Sequence, residues 1–202
     1  SNTVIYSSAR NAYIVPRMKR MMNRTVWAMT KQLRKGSFKP EGYEVSFGSG
    51  KIDRIDTCET EDQVYVKILD YKTGAKSFDM AAFYHGLQMQ LVVYMEEAVR
   101  LEERKHPGKK IVPAGIFYYR MKDPIVGKEL DEEKLEEAIL KELRLDGIIR
   151  QEDAVIQRLD ADFSGNSLVI PAGKTKSGYS KASKMLLPEE FDAVLTYAEK
   201  RR

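Results

Sequence analysis

The chain has 202 residues, 43% of them hydrophobic and 32% charged, with 34 lysines and arginines set against 30 aspartates and glutamates. That is enough to bury one substantial core, and the net charge of +4 means that phosphate binding would have to come from local clusters rather than from overall charge. No run of about eighteen apolar residues occurs and no secretory leader is expected, so no membrane-spanning helix is indicated; the single cysteine, Cys58, excludes an internal disulfide framework and fits a cytoplasmic location.

In chain order, a basic helix is predicted over 10–35, with Tyr13, Met18, Met21, Met22 and Trp27 supplying apolar contacts. Its Arg17, Lys19, Arg20, Arg24, Lys31, Arg34 and Lys35 form either a solvated face or one that meets phosphate. Tyr43-Glu44-Val45-Ser46-Phe47 reads as a strand ending in Gly48-Ser49-Gly50, a turn in which glycine can take positive φ. Two further strands, 51–58 and 64–71, are joined by the polar connection Glu59-Thr60-Glu61-Asp62-Gln63.

The end of the third strand carries the chemistry. Successive strand side chains alternate faces, and residues two apart lie about 6–7 Å from each other. Asp70 and Lys72 therefore share a face with Val64, Val66 and Ile68. Folding back at 59–63 sets Asp53 opposite Asp70 in one register and turns it away in a register slipped by one residue. Glu44, one strand further upstream, is expected to join the same acidic patch. Carboxylates gathered so closely repel each other and require a compensating cation. Oxygen donors with no histidine or cysteine beside them favour Mg²⁺ or Mn²⁺ over zinc. An acid, a spacer and a lysine at a strand end thus offer a metal ligand and a charge stabiliser to one phosphate, whereas the plain alternative is two aspartates that terminate solvated strands.

An amphipathic helix over 79–104 follows, with Asp79 as N-cap and with Met80, Phe83, Leu87, Leu91, Met95, Ala98 and Leu101 as its buried stripe. Gln90 and Tyr94, four apart, lie on one face and can hydrogen-bond a phosphate or a carboxylate; equally, Tyr94 can be core and Gln90 its boundary. His85 and His106 are weak ligand candidates. Beyond them the pattern predicts a central strand over 111–121 in which Tyr118 and Tyr119 pack, helices over 131–145, 152–159 and 188–202, and a loop over 163–179 with a short strand at 167–170. Lys174, Lys176, Lys181 and Lys184 flank that loop as a solvated segment or a DNA-facing patch.

The motifs Gly50-Lys51-Ile52-Asp53-Arg54-Ile55-Asp56, Asp70-Tyr71-Lys72-Thr73-Gly74 and Gly86-Leu87-Gln88-Met89-Gln90-Leu91-Val92-Val93-Tyr94 resemble, in order, those of the PD-(D/E)XK nucleases of the RecB type. Within that group the chain is similar to the AddB-type nuclease domains of bacterial AddAB helicase-nucleases. Arg10-Asn11-Ala12-Tyr13, Arg24-Thr25-Val26-Trp27-Ala28, the stretch 40–48, Ala114-Gly115-Ile116-Phe117-Tyr118-Tyr119 and Leu145-Asp146-Gly147 extend the likeness over nearly the whole chain. The resemblance implies an α/β fold with a restriction-endonuclease-like mixed β-sheet flanked by helices. It implies Asp53, Asp70 and the Tyr71 carbonyl as metal ligands, Lys72 as catalytic lysine, Glu44 as an additional acid, and Gln90 and Tyr94 as supports of the site and DNA. The implied activity is Mg²⁺-dependent exonucleolytic hydrolysis of DNA during the processing of double-strand breaks for recombinational repair, in complex with an AddA-type subunit.

Two features depart from that pattern. Relatives are expected to hold an iron-sulfur cluster on four cysteines and to place a histidine upstream of the first acid; here Cys58 stands alone and no histidine precedes Glu44. Both absences are explained if the chain is a single nuclease domain excised from a larger subunit, with Ser1-Asn2 a tag remnant and Gly48-Ser49-Gly50 a native turn or a splice. A DNA-binding or scaffold module that keeps the fold without turnover is the alternative function, and an α/β protein whose acids hold a structural ion is a third.

Overall fold

The computed structural model describes residues 9–48, 50–74, 77–86, 88–125, 131–161 and 163–200. The chain opens with helix α1 (Ala9–Leu33) and then the strands β1 (Lys39–Phe47), β2 (Gly50–Glu59) and β3 (Gln63–Lys72). Helices α2 (Met80–Tyr84) and α3 (Gln90–Lys105) lead to β4 (Lys110–Arg120), α4 (Glu132–Glu142), β5 (Asp146–Arg150) and α5 (Asp153–Leu159). Three two-residue strands, β6 (Lys174–Thr175), β7 (Gly178–Tyr179) and β8 (Met185–Leu186), precede α6 (Pro188–Glu199).

Six strands form one mixed sheet in the order β1-β2-β3-β4-β5-β8, with β3/β4 and β5/β8 parallel and the remaining neighbours antiparallel. Alternation along its strands sorts the core into two layers. Val64, Val66 and Ile68 of β3, with Ile116 and Tyr118 of β4 and Ile148 of β5, pack against Leu91, Val92, Met95 and Ala98 of α3 and Phe191 of α6. Tyr65, Leu69, Phe117, Tyr119 and Ile149 face the other way, onto Val155, Ile156 and Leu159 of α5. This is the expected α/β architecture of a mixed sheet between helices.

The β2–β3 hairpin takes the register that an acidic site requires. Arg54 pairs with Leu69, Ile55 with Ile68 and Asp56 with Lys67; Asp53 and Asp70 are the next positions beyond the last paired rung, and there the Asp53 carboxylate takes the Tyr71 amide. Below that rung, on the α5 side of the sheet, lies a buried charge cluster. Asp56, fully buried, takes both Nε and Nη2 of Arg54 at 2.6 and 2.7 Å, and its cross-strand partner Lys67 at 3.4 Å. Burial drives the Lys67 pKa down against the pull of Asp56, while the hydrogen bonds and charge of Asp56 override burial at Arg54 and raise it.

The structure corrects several expected elements. The predicted helix over 79–104 is two helices: Asp79 does cap the first, accepting from the Ala81 and Ala82 amides at 2.8 and 3.1 Å, but Gly86 at φ +75° ends it in a left-handed turn. The predicted stripe still faces the core, apart from Leu87, which lies outside the described residues. Strand β5 fills the interval between the helices predicted at 131–145 and 152–159, where no strand is expected. It lies in mid-sheet because β4 and β5 approach so closely that a Cβ at Gly147 would stand 2.0 Å from the Ile116 carbonyl oxygen. The strand expected at 167–170 is instead a turn in which Ser167 Oγ accepts from the Val169 and Ile170 amides and donates to Asp160. In α1, Tyr13, Met18 and Met22 are exposed rather than packed, whereas Trp27 does pack, beside the buried Thr25, Ala28 and Gln32, and Gln32 Nε2 donates to the Leu143 and Leu168 carbonyls at 3.1 and 3.0 Å. A polar residue satisfied in the interior inverts the simple apolar pattern there.

Asp56→Ala leaves two buried cations facing each other and is expected to cost about 3–5 kcal/mol in urea unfolding; a loss below about 1 kcal/mol would deny the cluster its role. Gly147→Ala must force β4 and β5 apart and is expected to cost at least about 2 kcal/mol in the same assay.

Candidate active site

Strand β3 delivers Asp70 and Lys72 to the α3 side of the sheet, where Asp70 is almost fully buried and Lys72 half-buried. The Lys72 ammonium is in direct ionic contact with Asp70 Oδ2 and lies 5.4 Å from the centre of the Tyr118 ring. The strand's end is fastened by the Met121 amide, which donates to the Lys72 carbonyl at 2.8 Å. Burial pulls the Lys72 pKa down, but its close ionic contact with Asp70 more than reverses this, and Tyr118 and Asp53 add to the rise.

From β2, Asp53 reaches across the hairpin and its Oδ2 accepts the Tyr71 amide proton at 2.8 Å. The Tyr71 backbone thereby binds the two acids into one unit. The Tyr71 side chain, on the opposite face, accepts from Arg54 Nη1 at 3.3 Å, so the buried charge cluster and the acidic face meet at one residue. Two aspartates against one ammonium leave this corner with a net negative charge. Asp70 Oδ2 is sealed from solvent and receives no regular hydrogen bond; Lys72 is its ionic partner. Two carboxylates and the Tyr71 carbonyl are hard oxygen donors, and they fit a divalent ion such as Mg²⁺, which binds through one or two carboxylates and keeps several of its own waters.

Paired aspartates on adjacent strands, with a lysine two residues beyond the second, fall within the span of a known family. A family model described as the PD-(D/E)XK nuclease superfamily matches residues 2–170. The chain belongs to that superfamily. Relatives of this nuclease domain include proteins named as subunits of an ATP-dependent helicase/deoxyribonuclease. The one from Lachnoclostridium phytofermentans is 37% identical over 97% of the chain, and those of Alkaliphilus metalliredigens and Caldanaerobacter subterraneus subsp. tengcongensis are 36% and 35% identical over 98%. The chain spans about a fifth of the length of these relatives, between 18% and 19%.

The remaining candidates distribute unevenly around this pair of aspartates. Glu44 takes positive φ, +50°, in β1; its carboxylate is 74% exposed and pairs with Lys51 at 3.0 Å, and no described contact links it to Asp53, Asp70 or Lys72. Correspondingly, among the described residues no group of three or more histidine, cysteine, aspartate or glutamate side chains is arranged to hold a metal. Gln90 and Tyr94 do meet: Gln90 Nε2 donates to the Tyr94 hydroxyl at 2.6 Å, and the Tyr94 ring lies in the core, edge-on to Phe47 at 5.5 Å. Their contacts are with each other and the β1 end rather than with the aspartates. His85 caps α2 on the surface, His106 lies between Glu102 and Glu59, and Cys58 is half-buried against the α5-side core.

Sequence reasoning gives no role to Asp146 and counts Lys184 only as a loop cation. Asp146 is buried on β5 and ion-paired with Lys184 at 2.6 Å. The available signal is an acid inside the apolar run Leu145-Asp146-Gly147-Ile148-Ile149, which demands a buried partner.

Asp53→Asn keeps an oxygen for the Tyr71 amide and is expected to hold stability within about 1 kcal/mol, whereas Asp53→Ala orphans that amide at a cost of about 1–3 kcal/mol. Amide hydrogen exchange at Tyr71 checks this: it should accelerate in Asp53→Ala and stay slow in Asp53→Asn.

Proposed function

We propose that this chain is a divalent-metal-dependent deoxyribonuclease domain, a single unit of a longer AddB-type helicase-nuclease protein that works with an AddA-type partner in the cytoplasm to trim broken DNA ends for recombinational repair. The observation that carries the proposal is the hydrogen bond from the Tyr71 amide to Asp53, which ties that acid to the strand end where Lys72 is in ionic contact with Asp70. The names of the relatives support the choice of DNA as substrate and of a helicase-nuclease as the larger setting.

In this reading Asp53, Asp70 and the Tyr71 carbonyl hold Mg²⁺ or Mn²⁺, which when bound supplies Lewis-acid polarisation of the phosphate and a more acidic water. Asp53 is held in place by the Tyr71 amide, and its second oxygen is left for the ion. Lys72, anchored by Asp70 at one side and the Tyr118 ring at the other, presents its ammonium to the charge that accumulates on the phosphoryl oxygens, where a preorganised cation contributes most. Gln90 donates to Tyr94 and so fixes the ring that closes the β1 side of the core, a supporting task for the site and the strand bound there. The iron-sulfur cluster expected in the parent protein needs cysteines this chain does not carry.

A scaffold reading, DNA binding without turnover, is favoured by the exposed Glu44 carboxylate being paired with Lys51. One experiment decides between them: cleavage of end-labelled linear single-stranded DNA in Mg²⁺ or Mn²⁺. Wild type is expected to cut, EDTA to abolish cutting, and Asp70→Ala and Lys72→Ala each to lower the rate at least ~100-fold, the scale of removing one preorganised stabilising group, with DNA affinity retained. Cleavage that survives both substitutions would remove the site assignment, and binding without cleavage in wild type would favour the scaffold.

A further inference from the structure

The rung that carries Asp70 continues across the sheet: Asp70 neighbours Tyr118 on β4, and Tyr118 neighbours Asp146 on β5. These residues occupy one face, and Phe78 lies over it. There both backbone groups of Phe78 are taken by one ion pair. The Phe78 amide donates to Asp146 Oδ2 at 2.8 Å, and the Lys184 ammonium donates both to the Phe78 carbonyl, at 2.7 Å, and to Asp146 Oδ1, at 2.6 Å.

Each part of this clamp is itself fixed. Asp146 is buried in mid-sheet, and the Lys184 backbone is tied on both sides, its amide to the Pro171 carbonyl at 2.9 Å and its carbonyl to the Ile149 amide at 3.0 Å. The Phe78 ring, 2% exposed, packs on Tyr118 with ring centres 6.1 Å apart. Tyr118 is also the ring beneath the Lys72 ammonium. Clamp, Phe78, Tyr118 and Lys72 thus form one contiguous series, and a charged pair stands where an ordinary turn needs none: burying Asp146 demands its partner, and together they satisfy a peptide that would otherwise be buried unpaired.

We propose that Asp146 and Lys184 are positioning residues for the nuclease site: through Phe78 and Tyr118 they hold the Lys72 ammonium where it meets the phosphate. This rests on the nuclease reading above. Nothing in it requires either residue to touch DNA or metal.

The test compares wild type, Lys184→Met, Lys184→Arg and the paired Asp146→Asn/Lys184→Met, which leaves no orphaned carboxylate and serves if the single change unfolds. Two quantities are read. One is the NMR signal of the Lys72 ε-methylene, which the Tyr118 ring current displaces. The other is the Mg²⁺-dependent cleavage of linear DNA, resolved into kcat and KM. Lys184→Met and the paired variant are expected to return the Lys72 signal toward that of a free lysine and to lower kcat about tenfold with KM within twofold, and Lys184→Arg, which keeps charge and donors, to recover most of both. An unmoved Lys72 signal, or a moved signal with unchanged kcat, or a loss expressed in KM alone, would overturn the proposal. Wild-type protein that shows the displaced Lys72 signal but cuts no DNA would defeat the nuclease reading instead, and the Lys72 signal in the variants would still decide whether the clamp positions that side chain.

Discussion

The register of the β2–β3 hairpin is the constraint on which the site depends. Because strand side chains alternate, a slip of one residue would turn Asp53 to the α5 side and leave Asp70 without its opposite number. The register is specified twice. Hydrophobic alternation places Val64, Val66 and Ile68 under α3, and on the other face the buried cross-strand pair of Asp56 with Lys67 pins β2 to β3, with Asp56 itself held by Arg54 of its own strand. An apolar pair in those positions would bury with less desolvation, yet it would tolerate a slipped partner, whereas a charge that must meet its counter-charge does not.

Tyr71 converts that register into a site. Its amide secures Asp53, its neighbours on either side are Asp70 and Lys72, and its hydroxyl accepts a hydrogen bond from Arg54 on the far face. Fold and chemistry therefore share one residue. The same economy appears two strands away, where a buried carboxylate and lysine secure the Phe78 peptide over the ring that carries Lys72.

Much of this was legible in the sequence because the informative residues obey local rules. Parity places Asp70 and Lys72 with Val64, Val66 and Ile68; the polar stretch 59–63 marks the hairpin; and Asp79 announces a helix start by its capping chemistry. What escaped is decided by tertiary contacts. Gly86 within a well-patterned apolar stripe reads as tolerated, and it breaks the helix because its backbone adopts a left-handed turn. No strand is expected between the helices at 131–145 and 152–159, and β5 forms there by pairing with β4, where Gly147 lets the Ile116 carbonyl approach. The β1–β2 register, Tyr43 with Arg54 and Val45 with Ile52, does leave Glu44 across from Asp53, but Glu44 takes positive φ and its carboxylate pairs with Lys51. The Gln90–Tyr94 spacing foretells their contact with each other without telling what the pair would face.

The central claim is that Asp53 and Asp70 act on one cation. Anomalous diffraction from crystals soaked in Mn²⁺ tests it most directly. The account predicts a single dominant peak bridged by the Asp53 and Asp70 carboxylates beside the Tyr71 carbonyl. A peak bound elsewhere, or no peak at this corner at saturating Mn²⁺, would contradict it.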